Sequence, residues 1–204
     1  MLTLKRLMVV VLAAVLLAGC AGVKMTPMAE QALRPLAADQ SRVQFFRSSF
    51  VGSAIAASVY DVTGEEVEFL GILNNDTRII VDRPPGKRTF MVVSEAADYM
   101  HAELDPGLTY YSIITPRMGM WKARFSMWPV RNGAAGEYQI DSSEFAEWMR
   151  ETQVMGLSSK ARGWFELNKE DVLEKHAKYW PVWLKKSPQD LDERTLHGAD
   201  GVKR

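Results

Sequence analysis

Two methionines and a histidine come closest to a metal-binding set in this sequence. Met118 and Met120 flank a glycine and precede Trp121, and His101 lies in a neighbouring predicted strand. Thioether sulfur suits Cu(I), and the face of a tryptophan can contact a cation. The sequence favours a simpler interpretation, because methionine commonly fills gaps where helices cover a sheet. A copper site therefore remains the less favoured hypothesis for these residues.

A second group of candidate residues lies in the aromatic segment 179–183. Tyr179, Trp180 and Trp183 stand within five positions of one another. Tyrosine and tryptophan are common in protein binding sites and at membrane interfaces, so the segment fits a binding groove or an interfacial anchor. The alternative, which the sequence favours, is that Trp180 and Trp183 pack a helix onto the rest of the protein.

No common catalytic motif is present in the sequence. The patterns G-x-S-x-G, H-E-x-x-H, G-x-x-x-x-G-K-[ST] and G-x-G-x-x-G are all missing. His101, His176 and His197 are scattered, and no spacing places a nucleophile beside a base. The sequence therefore predicts no enzyme and no cofactor beyond a covalent lipid. A hydrolase with an unrecognised site is the alternative, and it would bring histidines and carboxylates together in a polar cleft.

The first twenty residues have the pattern of a secretory signal that ends at a cysteine. Lys5 and Arg6 are the only charged residues before Cys20, and residues 7–17 contain no polar side chain. A basic start followed by a short apolar stretch is typical of an exported protein. The apolar stretch is too short to span a bilayer, since spanning needs about 20 apolar residues.

The string Leu17-Ala18-Gly19-Cys20 resembles the lipobox of bacterial lipoproteins. The resemblance implies a diacylglyceryl group on the sulfur of Cys20, cleavage before this residue, and acylation of the new amine. One acyl chain binds a membrane only marginally, at about 10⁴ M⁻¹, whereas a second chain makes the anchoring stable. Cys20 is also the only cysteine, so no intramolecular disulfide can form.

Residue 21 and the charge balance indicate the compartment and exclude some partners. Ala21 follows the cysteine in place of an aspartate, and by resemblance to the sorting rule of enteric bacteria this favours the outer membrane, facing the periplasm. Without Lys5 and Arg6 the chain keeps 23 of its 25 basic residues against 25 acidic ones, a net charge of −2. This balance predicts no nucleic-acid partner, because such partners need a basic stripe.

Residues 42–131 have the pattern of an antiparallel β-sandwich of seven or eight short strands. The turns between them carry strong signals, such as Pro84-Pro85-Gly86, where proline presets φ and glycine accepts a positive φ. Many short strands between regular turns favour a sandwich or a barrel. The predicted strands are 43–47, 54–62, 67–73, 77–82, 88–94, 99–104, 108–115 and 121–130.

Two or three helices are predicted after residue 132, which makes the expected fold class mainly β (α+β). Asp141 begins a sequence like a capping box, Asn168 is a plausible cap for a second helix, and Ser187 precedes a proline at a third helix start. Pro181 is expected to kink or end the second helix near residue 179. The chain from Gly198 onward is expected to fray.

The stretch 41–131 resembles a family of uncharacterised bacterial lipoproteins with a PEGA-like β domain. The match is carried by 41–47 (SRVQFFR), 71–73 (GIL), 81–86 (VDRPPG) and 107–111 (GLTYY). It covers under half of the chain, and its motifs are turns and core positions. The resemblance implies a small antiparallel β-sandwich, and it brings no catalytic residues.

These observations predict four regions and a non-enzymatic role in the cell envelope. The regions are a signal peptide (1–19), a lipidated cysteine with a flexible tether (20–41), the PEGA-like domain (42–131) and a helical C-terminal extension (132–204). A flexible tether of this length averages roughly 25 Å end to end, which places the domain near the membrane without setting its orientation. The expected role is a module that binds an envelope protein or the cell-wall glycan, peptidoglycan. A periplasmic carrier of copper or of a small ligand is an alternative.

Overall fold

The computed structural model describes residues 24–30, 33–49, 54–117, 124–133 and 136–203. These ranges contain eleven strands and three α-helices. The strands are β1 (Thr26–Pro27), β2 (Ser41–Arg47), β3 (Ala57–Asp61), β4 (Glu68–Leu73), β5 (Thr77–Arg83), β6 (Gly86–Val93), β7 (Ala97–Leu104), β8 (Thr109–Arg117), β9 (Arg124–Pro129), β10 (Gln153–Gly156) and β11 (Thr195–Leu196). The helices are α1 (Ser143–Glu151), α2 (Ser159–Trp183) and α3 (Pro188–Glu193).

The strands form two sheets, which we call sheet I and sheet II. Sheet I has the order β1-β10-β5-β2-β8-β9, and sheet II has the order β11-β7-β6-β3-β4. The mainly β, α+β class is confirmed, but the expectation of a simple antiparallel sandwich of seven or eight strands is wrong. Both sheets are mixed, because β2 pairs in parallel with β8, β10 with β5, and β11 with β7.

The main core lies between the two sheets and follows the alternation of the strands. Phe45 of β2 and Phe90 of β6 meet edge to face across the gap, with ring centroids 5.0 Å apart. In β7, Met100 is fully buried and pairs with Phe90, whereas Tyr99 points to the opposite face and contacts α2. Side chains of a strand alternate between faces, so each sheet has a second face to cover.

The helices cover those outer faces. Phe145 and Trp148 of α1 pack on Phe46 and Tyr111 of sheet I. On sheet II, α2 stacks Phe165 on Phe69 of β4 at 5.0 Å and places Trp180 and Trp183 against Tyr99 of β7. The order of layers is therefore α1, sheet I, sheet II, α2. Within the described residues, no helix combines the length and the apolar character needed to cross a membrane.

Helix α2 is longer than the sequence predicts at both ends. Its N-terminal cap is Ser158, whose hydroxyl accepts from the N–H of Ala161, so Asn168 lies inside the helix. The sequence hides this start, because Gly163 lowers helix propensity and the first turn has no acidic residue. The helix also continues past Pro181 to Trp183, so its expected end near residue 179 is wrong. The cap at Ser187 for α3 is confirmed.

The C-terminal residues are packed, so the expected fraying from Gly198 is wrong. Val202 exchanges backbone hydrogen bonds with Thr109 at 2.8 and 3.0 Å. Asp200 is buried and accepts from the guanidinium of Arg131 at 2.8 Å. Strands β10 and β11 also come from residues 132–204, so the region expected as a helical extension completes both sheets.

The stretch expected as a flexible tether is attached to the domain along residues 24–28. Thr26 and Pro27 pair with β10, and Met28 donates its N–H to the carbonyl of Val154 at 2.9 Å. The side chain of Met25 is buried, and its sulfur accepts from the N–H of Ile72 at 3.4 Å. This part of the expected tether therefore contributes a strand and a core side chain.

Arg131 joins the C-terminal residues to sheet I. Besides its ion pair with Asp200, its guanidinium donates to the carbonyls of Thr195 at 2.6 Å, Asp192 at 3.1 Å and Glu193 at 3.2 Å. The last two carbonyls belong to the C-terminal end of α3, where a positive charge is favourable. Removing the guanidinium would leave the buried carboxylate of Asp200 without its cation.

We expect Arg131→Met to lower the free energy of unfolding by about 3–5 kcal/mol, because breaking one side of a buried ion pair strands the other charge. Urea unfolding followed by circular dichroism measures the change. Arg150→Met is the matched control, since Arg150 is largely exposed beside Glu151 and should cost about 0–1 kcal/mol. Equal losses in the two variants would contradict this role of Arg131.

Candidate functional site

A cleft of about 240 Å³ lies between the C-terminal part of α2 and the edges of both sheets. Its walls are formed by the start of β7, the end of β8, the start of β9, and the last turns of α2 with the residues that follow. We call it the α2 cleft. It is lined by Ala96, Ala97, Asp98, Tyr99, Arg117, Arg124, Tyr179, Val182, Trp183 and Lys186.

Asp98 is the buried carboxylate of the α2 cleft. It accepts from the guanidinium of Arg194 in a short hydrogen bond, and Arg117 approaches its other oxygen at 3.1 Å. Arg194 also donates to the carbonyl of Met127 at 2.6 Å and lies over the ring of Trp128 at 4.3 Å. Burial lowers the pKa of Arg194, and the nearby Asp98 opposes that shift. The carboxylate is therefore already neutralised within the protein.

The remaining charges of the cleft are positive. Arg124 is exposed, and the side chain of Arg117 is 45% exposed although it pairs with Asp98. Lys186 completes the set after the end of α2, with its ammonium 5.4 Å from the ring centroid of Trp183. Because Arg194 balances Asp98, the cleft has an excess of positive charge. Such a site favours a ligand with carboxylate or phosphate groups.

The wall formed by α2 is apolar and aromatic. Tyr179 is half-buried, Val182 is 63% exposed, and Trp183 lines the cleft although it is almost fully buried. An exposed valine beside two aromatic rings offers apolar contact area next to the cations. The cleft can therefore hold a ligand that combines an anionic group with an apolar face, such as a sugar ring or an aliphatic side chain.

His101 supports the aromatic wall from beneath. The indole N–H of Trp183 donates to Nε2 of His101 at 3.1 Å, and Nδ1 lies 3.0 Å from the hydroxyl of Thr89. Because an indole N–H can only donate, Nε2 must be unprotonated, which makes the ring neutral with its proton on Nδ1. Burial lowers the pKa of His101 and so favours the same neutral form.

His176, about two turns before Trp183 in α2, also packs against β7. Its Nδ1 lies 3.0 Å from the hydroxyl of Tyr99, and that hydroxyl also donates to the carbonyl of His176 at 3.2 Å. Burial lowers the pKa of His176. The pKa of the Tyr99 phenol is raised by burial and, to a lesser extent, by the charge of Asp98. Both groups are neutral at physiological pH and serve as hydrogen-bonded packing.

The structure separates the aromatic residues that the sequence grouped together. Tyr179 and Trp183 line the α2 cleft, whereas Trp180 packs on Tyr99 with ring centroids 5.0 Å apart. Trp183 also packs against Tyr99 at 5.7 Å. The favoured interpretation, in which Trp180 and Trp183 attach the helix to the sheet, describes what these rings contact. Trp183 has a second role, because the cleft also reaches it.

The proposed metal ligands are only partly described. Met118 and Met120 lie outside the described residues, as does Cys20. His101 is described, and both of its ring nitrogens are used by Trp183 and Thr89. Among the residues that the structure describes, no group of three or more His, Cys, Asp or Glu side chains has a metal-binding arrangement.

His197 comes nearest to the constellation that a hydrolase would need. Its Nε2 lies 3.2 Å from Asp192, and its Nδ1 lies 3.9 Å from Glu103. All three side chains are on the surface near β11, apart from the α2 cleft. A hydrolase also needs a nucleophile within reach of the base, and no serine, threonine or cysteine is recorded as a hydrogen-bond partner of this imidazole within the described ranges.

Sequence reasoning missed the polar residues of the cleft: Asp98, Arg117, Arg124 and Lys186. One signal was present, because Arg124 lies on the polar face of an alternating strand. The other three belong to different elements, and only the packing of α2 beside β7 and β9 brings them together. A single charged residue in a strand or at a helix end usually lies in solvent. The residue types of Asp98, Arg117 and Lys186 therefore did not mark them as members of a binding site.

We expect the protein to lose stability as the pH falls from about 7 to about 5, because burial lowers the pKa of His101 and of His176 in the folded protein while unfolded histidines bind protons near pH 6.5. The unfolded state then holds more protons than the native state, which favours unfolding at lower pH. Urea unfolding at both pH values measures the loss.

His101→Gln is the matched variant for this effect. Glutamine keeps a hydrogen-bond acceptor near Trp183 but does not titrate, so the difference between the two pH values should shrink. The absolute stability of the variant does not enter the comparison. An unchanged difference in this variant would show that His101 titrates normally in the folded protein.

Comparisons with known proteins do not identify the chain or its site. No protein-family model matches the sequence, and a search of curated proteins finds no match. The resemblance of residues 41–131 to PEGA-like lipoprotein domains therefore stays a prediction, supported by its turn and core motifs. What the protein binds must be argued from the α2 cleft itself.

Proposed function

We propose that the protein is a lipid-anchored module of the bacterial cell envelope that binds another envelope component and catalyses no reaction. The α2 cleft is its binding site. The observation that carries this proposal is the composition of the cleft: three cations, Arg117, Arg124 and Lys186, beside the apolar wall of Tyr179, Val182 and Trp183. The chemistry of that surface fits recognition of a ligand with anionic groups.

The roles of the titratable groups around the cleft support binding over catalysis. A general base must be free to accept a proton from a substrate. His101 instead uses both ring nitrogens in hydrogen bonds with Trp183 and Thr89, and Nδ1 of His176 is hydrogen-bonded to Tyr99. Asp98 is held between two guanidinium groups, Arg117 and Arg194. These side chains stabilise the walls of the cleft and give it a fixed shape.

The cell-wall glycan with its stem peptides, peptidoglycan, is the ligand class that the cleft fits best. Its peptides carry carboxylates, which Arg117, Arg124 and Lys186 can bind by charge-assisted hydrogen bonds. Its sugars offer flat apolar faces to the half-buried Tyr179 and the exposed Val182. An acidic segment of another envelope protein has similar charges, so it is the second candidate within the same role.

The location of the protein follows from its proposed lipid anchor. Acyl groups on Cys20 would hold the chain at the outer membrane on its periplasmic side, where the cell wall is within reach. In this arrangement the membrane supplies the anchor and the α2 cleft supplies the contact with the cell wall. No nucleic-acid partner is expected for a chain with this charge balance.

The alternative of a copper or small-ligand carrier has less support. A Cu(I) site that includes His101 would require one of its two hydrogen bonds to be broken. A carrier would also show melting temperatures that depend on its ligand. The α2 cleft needs no such rearrangement to bind an anionic ligand.

We expect charge reversal in the α2 cleft to weaken binding to purified cell-wall sacculi. The double variant Arg124→Glu and Lys186→Glu changes one exposed and one half-buried cation of the cleft and should lower the bound fraction several-fold in a sedimentation assay. Lys160→Glu with Lys169→Glu is the matched control, because these exposed lysines lie elsewhere on α2. Undiminished sedimentation of the double variant would refute the cleft as the glycan site, and failure of the native protein to sediment would favour an acidic protein partner.

We expect Cys20→Ser to abolish globomycin-sensitive processing of the precursor. The thiol is the atom that receives the diacylglyceryl group, and a serine hydroxyl cannot replace it in that reaction. Immunoblots of cells grown with and without globomycin measure the accumulation of the precursor, and mass spectrometry measures the lipid. If the serine variant were processed like the native chain, the lipoprotein assignment would fall.

A further inference from the structure

The chain is attached to the folded domain a few residues after Cys20. The side chain of Ser158 donates to the carbonyl of Lys24, and the ammonium of Lys24 lies 5.4 Å from the ring centroid of Trp164. Met25 is buried against Gly71, where a Cβ would lie only 2.8 Å from its terminal methyl carbon. Polar, apolar and strand contacts together hold this segment, which we call the docked segment (24–28).

This attachment limits the distance between the lipid anchor and the domain. Only five residue steps separate Cys20 from Met25, and a fully extended chain of that length spans at most about 18 Å. A flexible tether running to residue 41 would instead let the domain rotate freely. If Cys20 carries the lipid, the part of the domain around Lys24 must lie next to the bilayer.

The surface around Lys24 has the composition of a membrane-contacting surface. Ile55 is 39% exposed and lines the same cavity as Lys24 and Trp164. Leu167 is 88% exposed, and positions 160, 164 and 167 share one face of α2, being spaced by four and three residues. We call these five residues the Lys24 surface: Lys24, Ile55, Lys160, Trp164 and Leu167.

Each residue type on the Lys24 surface suits the interface of a bilayer. Tryptophan is enriched at the level of the lipid headgroups, where its ring can contact apolar groups while its N–H contacts polar ones. Lysine can direct its ammonium to the phosphates while its stem covers apolar surface. An almost fully exposed leucine has no packing role in the domain, yet it could insert between the acyl chains. Two carboxylates line the cavity beside this surface: Glu95, and Asp171, which is paired with Lys175 at 2.7 Å.

We propose that the Lys24 surface lies against the lipid bilayer and sets the orientation of the domain on the membrane. This inference rests on the proposed lipid anchor at Cys20. The docked segment brings the surface to the membrane, and Trp164 and Leu167 enter the interface. Helix α1, on the outer face of sheet I, then faces away from the bilayer, because α2 and α1 cover opposite sides of the two sheets.

Fluorophores placed on the two helices test this orientation. Leu167→Cys and Glu147→Cys each introduce one free thiol for the dye NBD, because lipidation blocks Cys20. Both positions are exposed, so the substitutions leave the core intact. The processed, lipidated protein is added to preformed vesicles of phosphatidylethanolamine and phosphatidylglycerol. Dithionite, which does not cross the bilayer, should then quench the dye at 167 several-fold more slowly than the dye at 147.

The controls separate this inference from the proposed anchor. The lipid mass on Cys20 is measured first, and an unlipidated chain overturns both the anchor and the orientation. A lipidated protein that floats with the vesicles but reacts equally fast at 167 and 147 overturns the orientation alone. Protection at 167 in the Cys20→Ser protein without vesicles would mean that a second copy covers the surface, and it too would overturn the proposal. Equal quenching in that unlipidated protein is the expected result.

Discussion

One buried guanidinium, that of Arg194, connects most of the layers of this protein. It donates to the carbonyl of Met127 in sheet I and to Asp98 in sheet II, and it lies between the rings of Trp128 and Trp183. An arginine buried this deeply is costly unless its charge and its donors are satisfied. The two sheets and the end of α2 must therefore come together around it, and a loose arrangement would expose an unpaired charge to an apolar core.

The same interaction shapes the α2 cleft. Because Arg194 neutralises Asp98 from inside the protein, the cations at the mouth of the cleft remain available to a ligand. Arg117 is one of these cations, although it also pairs with Asp98. The neutral imidazole of His101 holds Trp183 in place through a hydrogen bond that needs no change of charge. A cleft with fixed walls loses little conformational entropy on binding, which favours recognition by a small number of contacts.

Local patterns predicted the strands well and the pairing of the strands poorly. The predicted strand 77–82 is one residue shorter than β5, and the predicted cap at Ser187 begins α3 as observed. Turn signals and the alternation of polar and apolar residues depend only on neighbouring residues in the chain, so they can be recognised in the sequence. The parallel contact of β2 with β8 joins residues more than sixty positions apart, and β10 is a four-residue strand between two helices. Neither pairing leaves a periodic signal, because the partner strands are distant from one another in the chain.

By itself the sequence predicted an export signal and a lipidation motif at Cys20, and it determined the β-rich class and most element boundaries, since each depends on residues that are close together in the chain. It also identified Tyr179 and Trp183 as candidates. Only the tertiary structure decided that these two rings face Arg117, Arg124 and Lys186, and that Met25 docks beside Gly71. Both arrangements join residues from distant parts of the chain, and they form because burying Arg194 and Met25 is favourable only when every partner is in place.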